Sequence, residues 1–238
     1  MIRHTFLIVA VLFLAAGCNP AAKSSDKTPA TTVTTDWTWD LPSYVPEPLV
    51  PDDNPMSKAK FQLGKYLFYD KKLSGNGTYR CGTCHIQSLA FTNGMALPVG
   101  ATGDILPRSA MSQVNSAFNA TYTWCNPNLM TLERQAEVPL YSENPAELGI
   151  NDSNKADVLA RFSSDPDYIQ KFTDAFPGED SPINFTNIIK AIATFERGLI
   201  SYESKYDLWM QGKATLTPTE LSGFNLFNGE TAECYHCH

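Results

Sequence analysis

Two five-residue stretches of this chain repeat one pattern, cysteine, two residues, cysteine, histidine: Cys81-Gly82-Thr83-Cys84-His85 and Cys234-Tyr235-His236-Cys237-His238. At the start of a helix, positions i, i+3 and i+4 project from one face, so two thiols can bond the vinyl groups of a porphyrin while the imidazole meets its iron. The chemistry implied is covalent attachment of two c-type haems, held by Cys81, Cys84, Cys234 and Cys237, with His85 and His238 as iron ligands. A thioredoxin-like dithiol needs no histidine after it, and both copies have one. Structural zinc would place its cysteine pairs about 15 to 20 residues apart, whereas about 150 residues separate these.

The second axial position decides between an electron carrier and an enzyme. No histidine stands between His85 and His236. A second imidazole from within the first module is therefore excluded, leaving Met95, Met111, Met130, a weaker ligand or an open position. An iron with one open position binds peroxide, and a methionine-capped iron mainly shuttles electrons.

The elements around the motifs read as helices. Gly64-Lys65-Tyr66-Leu67-Phe68 precedes the first motif and Gly223-Phe224-Asn225-Leu226-Phe227 the second, a weak internal repeat of the form Gly-x-x-Leu-Phe. The first of these helices has Asn54 as its expected N-cap and Pro55 at N1, and the second has a capping box in Thr217, Pro218 and Glu220. From Asn184 to about Tyr202 the apolar residues Ile188, Ile189, Ile192, Phe195, Leu199 and Ile200 recur at helical spacing, with Lys190, Glu196 and Arg197 off that stripe. Shorter helices are expected over 157–162 and 167–176. Region 86–130 is rich in Gly, Pro, Asn and Ser and reads as a long irregular wrap around the first haem. The fold class is all-α: two c-type cytochrome-like haem domains with long irregular loops. Their expected spans are 51–182 and 183–238. Because the rest of a haem pocket has to follow its iron ligand, the second reads as incomplete.

Upstream, residues 1–17 read as an export signal, with Arg3 and His4, an apolar run from Phe6 to Leu14, and Ala15-Ala16-Gly17 before Cys18. That run is too short to span a bilayer. Small residues directly before a cysteine match a bacterial lipoprotein cleavage site, which would make Cys18 a lipidated N-terminus on the periplasmic side of a membrane. Residues 18–50 then form a spacer rich in Ala, Ser, Thr and Pro, in which Trp37 and Trp39 are expected to pack onto the domain. A net charge of −7 without Lys/Arg clusters argues against nucleic acid as a partner. Cys125, left over from haem and lipid, reads as a small buried hydrophobe.

Further segments carry a resemblance. Leu73-Ser74-Gly75-Asn76-Gly77-Thr78, Ala90-Phe91-Thr92-Asn93-Gly94, Pro107-Arg108-Ser109-Ala110, Asn115-Ser116-Ala117-Phe118-Asn119 and Trp124 follow in order around the first motif. With Leu132-Glu133-Arg134-Gln135-Ala136, Pro145-Ala146-Glu147-Leu148-Gly149 and Ala191-Ile192-Ala193-Thr194-Phe195-Glu196-Arg197, they resemble the bacterial di-haem cytochrome c peroxidase and MauG superfamily over roughly 60–238. The resemblance implies that Cys81, Cys84 and His85 hold a reactive haem, with Glu147 as its distal carboxylate and Gln135 as a polar neighbour. Trp124 would lie between the haems, and Cys234, Cys237 and His238 would hold an electron-transfer haem. Glu147 suits peroxide heterolysis, which needs a group that takes a proton from the near oxygen and returns it to the departing one.

The chain also departs from the pattern. Peroxidases of the superfamily often carry a histidine in the loop before Pro107 that caps the first iron, and none stands here, which favours a constantly open site. Ser109 replaces an asparagine linked to an interdomain calcium and speaks against that ion. Trp124-Cys125-Asn126 replaces Trp-Asp-Gly. With the lipid anchor, these features look most like a MauG-like lipoprotein branch. The implied activity is peroxidase-type oxidation by hydrogen peroxide, with electrons drawn from a small periplasmic donor protein or from a side chain of a partner protein. The rival is a di-haem electron carrier capped by Met95, Met111 or Met130.

Overall fold

A computed structural model describes residues 36–123 and 126–237. Residues 1–17, Cys18, Trp124, Cys125 and His238 lie outside that range, and with them fall the segment expected as an export signal and the residues expected as the lipid site, the interhaem tryptophan, the buried hydrophobe and the second iron ligand. Among the described residues the regular elements are helices, joined by long irregular segments with isolated β-bridges and no strand. No helix among them is long and apolar enough to cross a membrane.

The core is a crossing of two helices, α1 (Lys58–Tyr69) and α6 (Phe185–Arg197). Gly64 makes the crossing close: a Cβ there would stand 1.9 Å from the Ala191 carbonyl oxygen. Around this contact Leu63, Leu67, Phe68, Ile188, Ile192 and Phe195 are buried. The helices α4 (Lys155–Ser163) and α5 (Pro166–Ala175) close the far side with Val158, Phe162 and Phe172. The expected module boundary at 183 falls at the head of α6, whose buried residues lie in the same core as α1.

Local signals explain most helix ends. Asn184 caps α6 by accepting from the Asn187 amide, and Asp165 with Pro166 opens α5. In α8 (Pro218–Phe227) the expected capping box is formed: Thr217 accepts from the Glu220 amide and Glu220 accepts from the Thr217 amide. The start of α1 differs from expectation. Its N-cap is Ser57, which accepts from the Lys60 amide. Asn54 is instead fully buried, donating to Glu133 Oε1 at 2.7 Å, to the Lys190 carbonyl and to Thr194 Oγ1, and accepting from Lys60 Nζ. Helix α6 also ends earlier than the periodicity predicts, at Arg197, because Gly198 turns under Phe61 where a Cβ would meet the ring at 2.5 Å.

The polar residues off the α6 stripe are not a solvated face. Arg197 and Glu196 are 2% and 4% exposed. Arg197 Nη2 grips both carboxylate oxygens of Glu133, at 2.8 and 2.9 Å. Glu133 belongs to α3 (Leu132–Tyr141), so this buried cluster fixes α3 against α1 and α6. Burial, reinforced by Lys190 and Arg197, lowers the Lys60 ammonium to about 8.

Candidate haem site

The first Cys-x-x-Cys pair forms the short helix α2 (Cys81–Cys84), directly after the chain leaves α1. Gly82 sits between the thiols against Tyr69, whose ring a Cβ would meet at 2.6 Å. Both thiols are unpaired, and burial pushes both up from the ordinary thiol range. After the helix, Ala90 and Phe91 both take left-handed backbone, φ 53° and 60°, which is uncommon for residues with a Cβ. The resulting tight loop brings the Phe91 carbonyl oxygen to 2.8 Å from His85 Nδ1. With Nδ1–H donating to that carbonyl, Nε2 is the ring nitrogen available to a metal, and the Met111 backbone is a second partner within reach of the ring. Burial lowers the pKa of His85, which favours the neutral imidazole a metal needs.

Cys84, His85, Gln135 and Glu147 line one cavity of about 300 Å³, together with Met111 and Tyr122. A smaller one of about 70 Å³ shares those four residues and adds Cys81 and Glu196. The sequence-predicted residues Gln135 and Glu147 are therefore brought to the first motif. Gln135 is presented by α3, which Thr131 caps. Positions two apart on a helix do not face each other, so Glu133 turns into the buried cluster while Gln135 lies along the cavity.

Glu147 stands on a non-helical segment whose backbone is tied on three sides. The Leu148 and Ile150 amides donate to the Pro139 and Leu140 carbonyls at the end of α3, and the Gly75 amide donates to the Leu148 carbonyl. The Ala101 amide donates to the Glu147 carbonyl at 2.7 Å, and Gly100 approaches so closely that a Cβ would stand 2.0 Å from the Ala146 oxygen. No described residue hydrogen-bonds the Glu147 carboxyl, and burial raises its pKa. This half-buried acid is held rigidly by its backbone while its side chain is left unengaged.

The residues present fit a c-type haem: two unpaired thiols and a tautomer-fixed imidazole at one end, and a cavity with apolar Pro98, Leu106 and Val138 beside polar Gln135 and Glu147. Of the methionines, Met111 lines this cavity, whereas Met95 and Met130 do not and are 51% and 68% exposed. Ser109 also lines it, as does Thr123, the described neighbour of Trp124. In the second motif Cys234 opens a short 3-10 turn (Cys234–His236) after α8, Cys237 is exposed, and Tyr235 stacks on His236 at 4.2 Å.

Glu196 is a cavity residue that sequence reasoning missed. Its Oε2 is buried without a hydrogen-bond partner among the described residues, and burial, opposed by Arg197, lifts its carboxyl to about 8. Its place in the Phe195-Glu196-Arg197 run was the available signal, but its spacing matches the polar side of α6.

Residues 58–215 match the family model for di-haem cytochrome c peroxidase. The methylamine utilization protein MauG of Methylorubrum extorquens is 33% identical over 198 residues, covering 83% of this chain and 53% of that protein. The cytochrome c551 peroxidase of Nitrosomonas europaea is 33% identical over 178 residues, covering 74% of this chain and 50% of that protein. In fold, the crystal structure of a MauG-like protein associated with microbial copper homeostasis superposes with a TM-score of 0.84 at 53% identity, covering 85% of this chain and 58% of that one. The chain thus spans about half the length of these curated relatives. With the all-helical architecture and the first haem motif in place, the match over most of the described residues assigns this chain to the di-haem cytochrome c peroxidase family.

Proposed function

We propose that this chain is the haem-bearing part of a periplasmic di-haem peroxidase of the cytochrome c peroxidase and MauG type. Cys81, Cys84 and His85 would hold the reactive haem, and Cys234, Cys237 and His238 a second, electron-transfer haem. Bound there, the reactive group supplies a redox-active iron that accepts hydrogen peroxide. The protein's own part is proton handling. Glu147 takes a proton from the near peroxide oxygen and returns it to the departing one, while Gln135 orients the bound oxygens by donating from its amide. Trp124 would link the two haem sites, and the reducing electrons come from a small donor protein or from a side chain of a partner protein. In this reading the modules span 51–182 and 183–238, and lipidated Cys18 tethers them through the spacer 18–50.

One observation carries the reading. Glu147 is half-buried beside His85 and Gln135, its backbone is clamped, and no described residue engages its carboxyl. A surface acid gains nothing from such a mount, whereas a proton shuttle needs it. The test is Glu147→Gln: covalent haem content stays at the wild-type level and peroxide consumption falls about 100-fold or more. Unchanged turnover refutes the role. Met111 supports the carrier reading because it shares the cavity. A sulfur-to-iron absorption band lost in Met111→Leu, with no response to peroxide, would establish that alternative.

A further inference from the structure

A continuous run of aromatic rings leads from the proximal histidine to the surface where the spacer meets the domain. His85 lies 6.2 Å from Phe68 between ring centroids, Phe68 lies 5.1 Å from Phe195, and Phe195 lies 5.3 Å from Phe61. Phe61 is 5.0 Å from Trp37, and Trp37 is 5.6 Å from Trp39 in an edge-to-face pair. Every step falls within the range of direct aromatic contact. The two indoles then border an open cleft of about 1010 Å³, shared with Tyr44 and Tyr202. Packing alone explains Trp37 against Phe61, but it does not call for a second, partly exposed indole.

We propose that the Trp37–Trp39 pair is a second electron inlet to the reactive haem site, working through Phe61, Phe195 and Phe68. The inference rests on peroxide being the oxidant, as in the reading above. Reduction of hydrogen peroxide to two waters consumes two electrons and two protons. One of those electrons leaves the indole pair, which becomes a radical cation; the other comes from the donor named in the reading above, and the two protons are taken from solvent. A one-electron reductant of the electron-rich phenol class then refills it from the cleft, losing one electron and its phenolic proton to solvent.

Two observations place the hole on the tryptophans. Phenylalanine rings are too hard to oxidise and serve only as bridges. Tyr69 touches both Phe68 and Phe195, but its hydroxyl is buried without a hydrogen-bond partner among the described residues. A phenol gives up an electron readily only when its proton can leave at the same time, so Tyr69 is a poor resting place. An indole radical cation persists without losing its proton, and the Trp37 Nε1 likewise has no hydrogen-bond partner among the described residues.

The experiment uses the full-length holoprotein, freeze-quenched after mixing with hydrogen peroxide and no donor, and read by electron paramagnetic resonance. In parallel, peptides are mapped by mass spectrometry for oxygen adducts on tryptophan. The expected result is an indole radical signal that is lost in Trp37→Phe/Trp39→Phe, with adducts concentrated on the peptide holding these two residues. Phe61→Leu keeps both indoles but removes a ring from the path, and the signal falls several-fold. Phenylalanine preserves the packing at 37 and 39, so a merely structural role would leave the haem response to peroxide and the stability unchanged without predicting either readout. A haem spectral change with the same radical yield in the double variant and no adducts at 37 or 39 overturns this inference alone. No spectral change on peroxide addition overturns the peroxidase reading, and the inlet falls with it.

Discussion

Arg197 on α6 holds both carboxylate oxygens of Glu133 on α3, at 2.8 and 2.9 Å, with the guanidinium side chain 3% exposed. Because Gln135 lies two residues further along α3, this forked contact sets the helix that carries a cavity residue without itself touching the cavity. Asn54 bridges to the same Glu133, so three elements meet at one carboxylate.

Removing that carboxylate strands a buried guanidinium. Glu133→Ala is expected to destabilise the protein by about 3 kcal/mol, since breaking one side of a buried ion pair leaves the other charge uncompensated. Denaturant midpoints measure the effect. Glu133→Gln keeps hydrogen bonding and should lose clearly less; equal losses in the two variants would show that the charge is not what holds α3.

The contrast between α8 and α1 shows what could be read beforehand. The capping box of Thr217 and Glu220 is a transaction among neighbours, and it forms as its sequence says. Asn54 has the same local credentials as a cap, but partners 79, 136 and 140 residues away capture its amide, and Ser57 takes the cap instead. The same division runs through the site. The two thiols and His85 are legible because covalent haem attachment would demand that spacing. Glu147 could be nominated only through the family resemblance, since its mount is built by backbone bonds from Gly75, Ala101 and α3 that no local pattern records. Glu196 carries no local signal, because its place off the apolar stripe of α6 is also where a solvated acid would stand, whereas here it is buried beside the first Cys-x-x-Cys-His motif.

Glu196 should give the protein a pH-dependent stability of unusual sign. Its folded-state carboxyl titrates near 8, raised chiefly by burial, while in the unfolded chain it titrates in the ordinary carboxylate range. Between those limits the folded state binds more protons, so stability falls as pH rises, by at most about 1.4 kcal/mol per pH unit, and levels off above pH 8. Comparing wild type with Glu196→Gln by chemical denaturation from pH 5 to pH 8 isolates the term. The variant should lose this falling component; parallel profiles would show that Glu196 is ionised throughout.

Gly64 tests the helix crossing. A Cβ at this position meets the Ala191 carbonyl at 1.9 Å and Phe195 at 2.8 Å, so Gly64→Ala must push α1 and α6 apart. Although alanine favours helices, the forced separation should cost about 1–3 kcal/mol overall. A thermal melt at or above the wild-type temperature would mean that the crossing gives way without loss.

Gly100 offers the most direct way to move Glu147 without altering its chemistry. A methyl group at 100 would stand 2.0 Å from the Ala146 oxygen and 3.2 Å from the Glu147 Cα, so backbone on one side has to shift. The shift falls on a segment held by the Ala101 amide at the Glu147 carbonyl and by α3 at Leu148 and Ile150. The thiols and His85 belong to another part of the chain, so covalent haem content should be unaffected. If a rigidly mounted acid is what breaks the peroxide bond, misplacing it by about 1 Å should slow peroxide consumption by up to about 100-fold, with little change in the haem absorption of the resting protein. Wild-type turnover in Gly100→Ala, with the backbone shift confirmed crystallographically, would mean that the position of Glu147 does not control the rate.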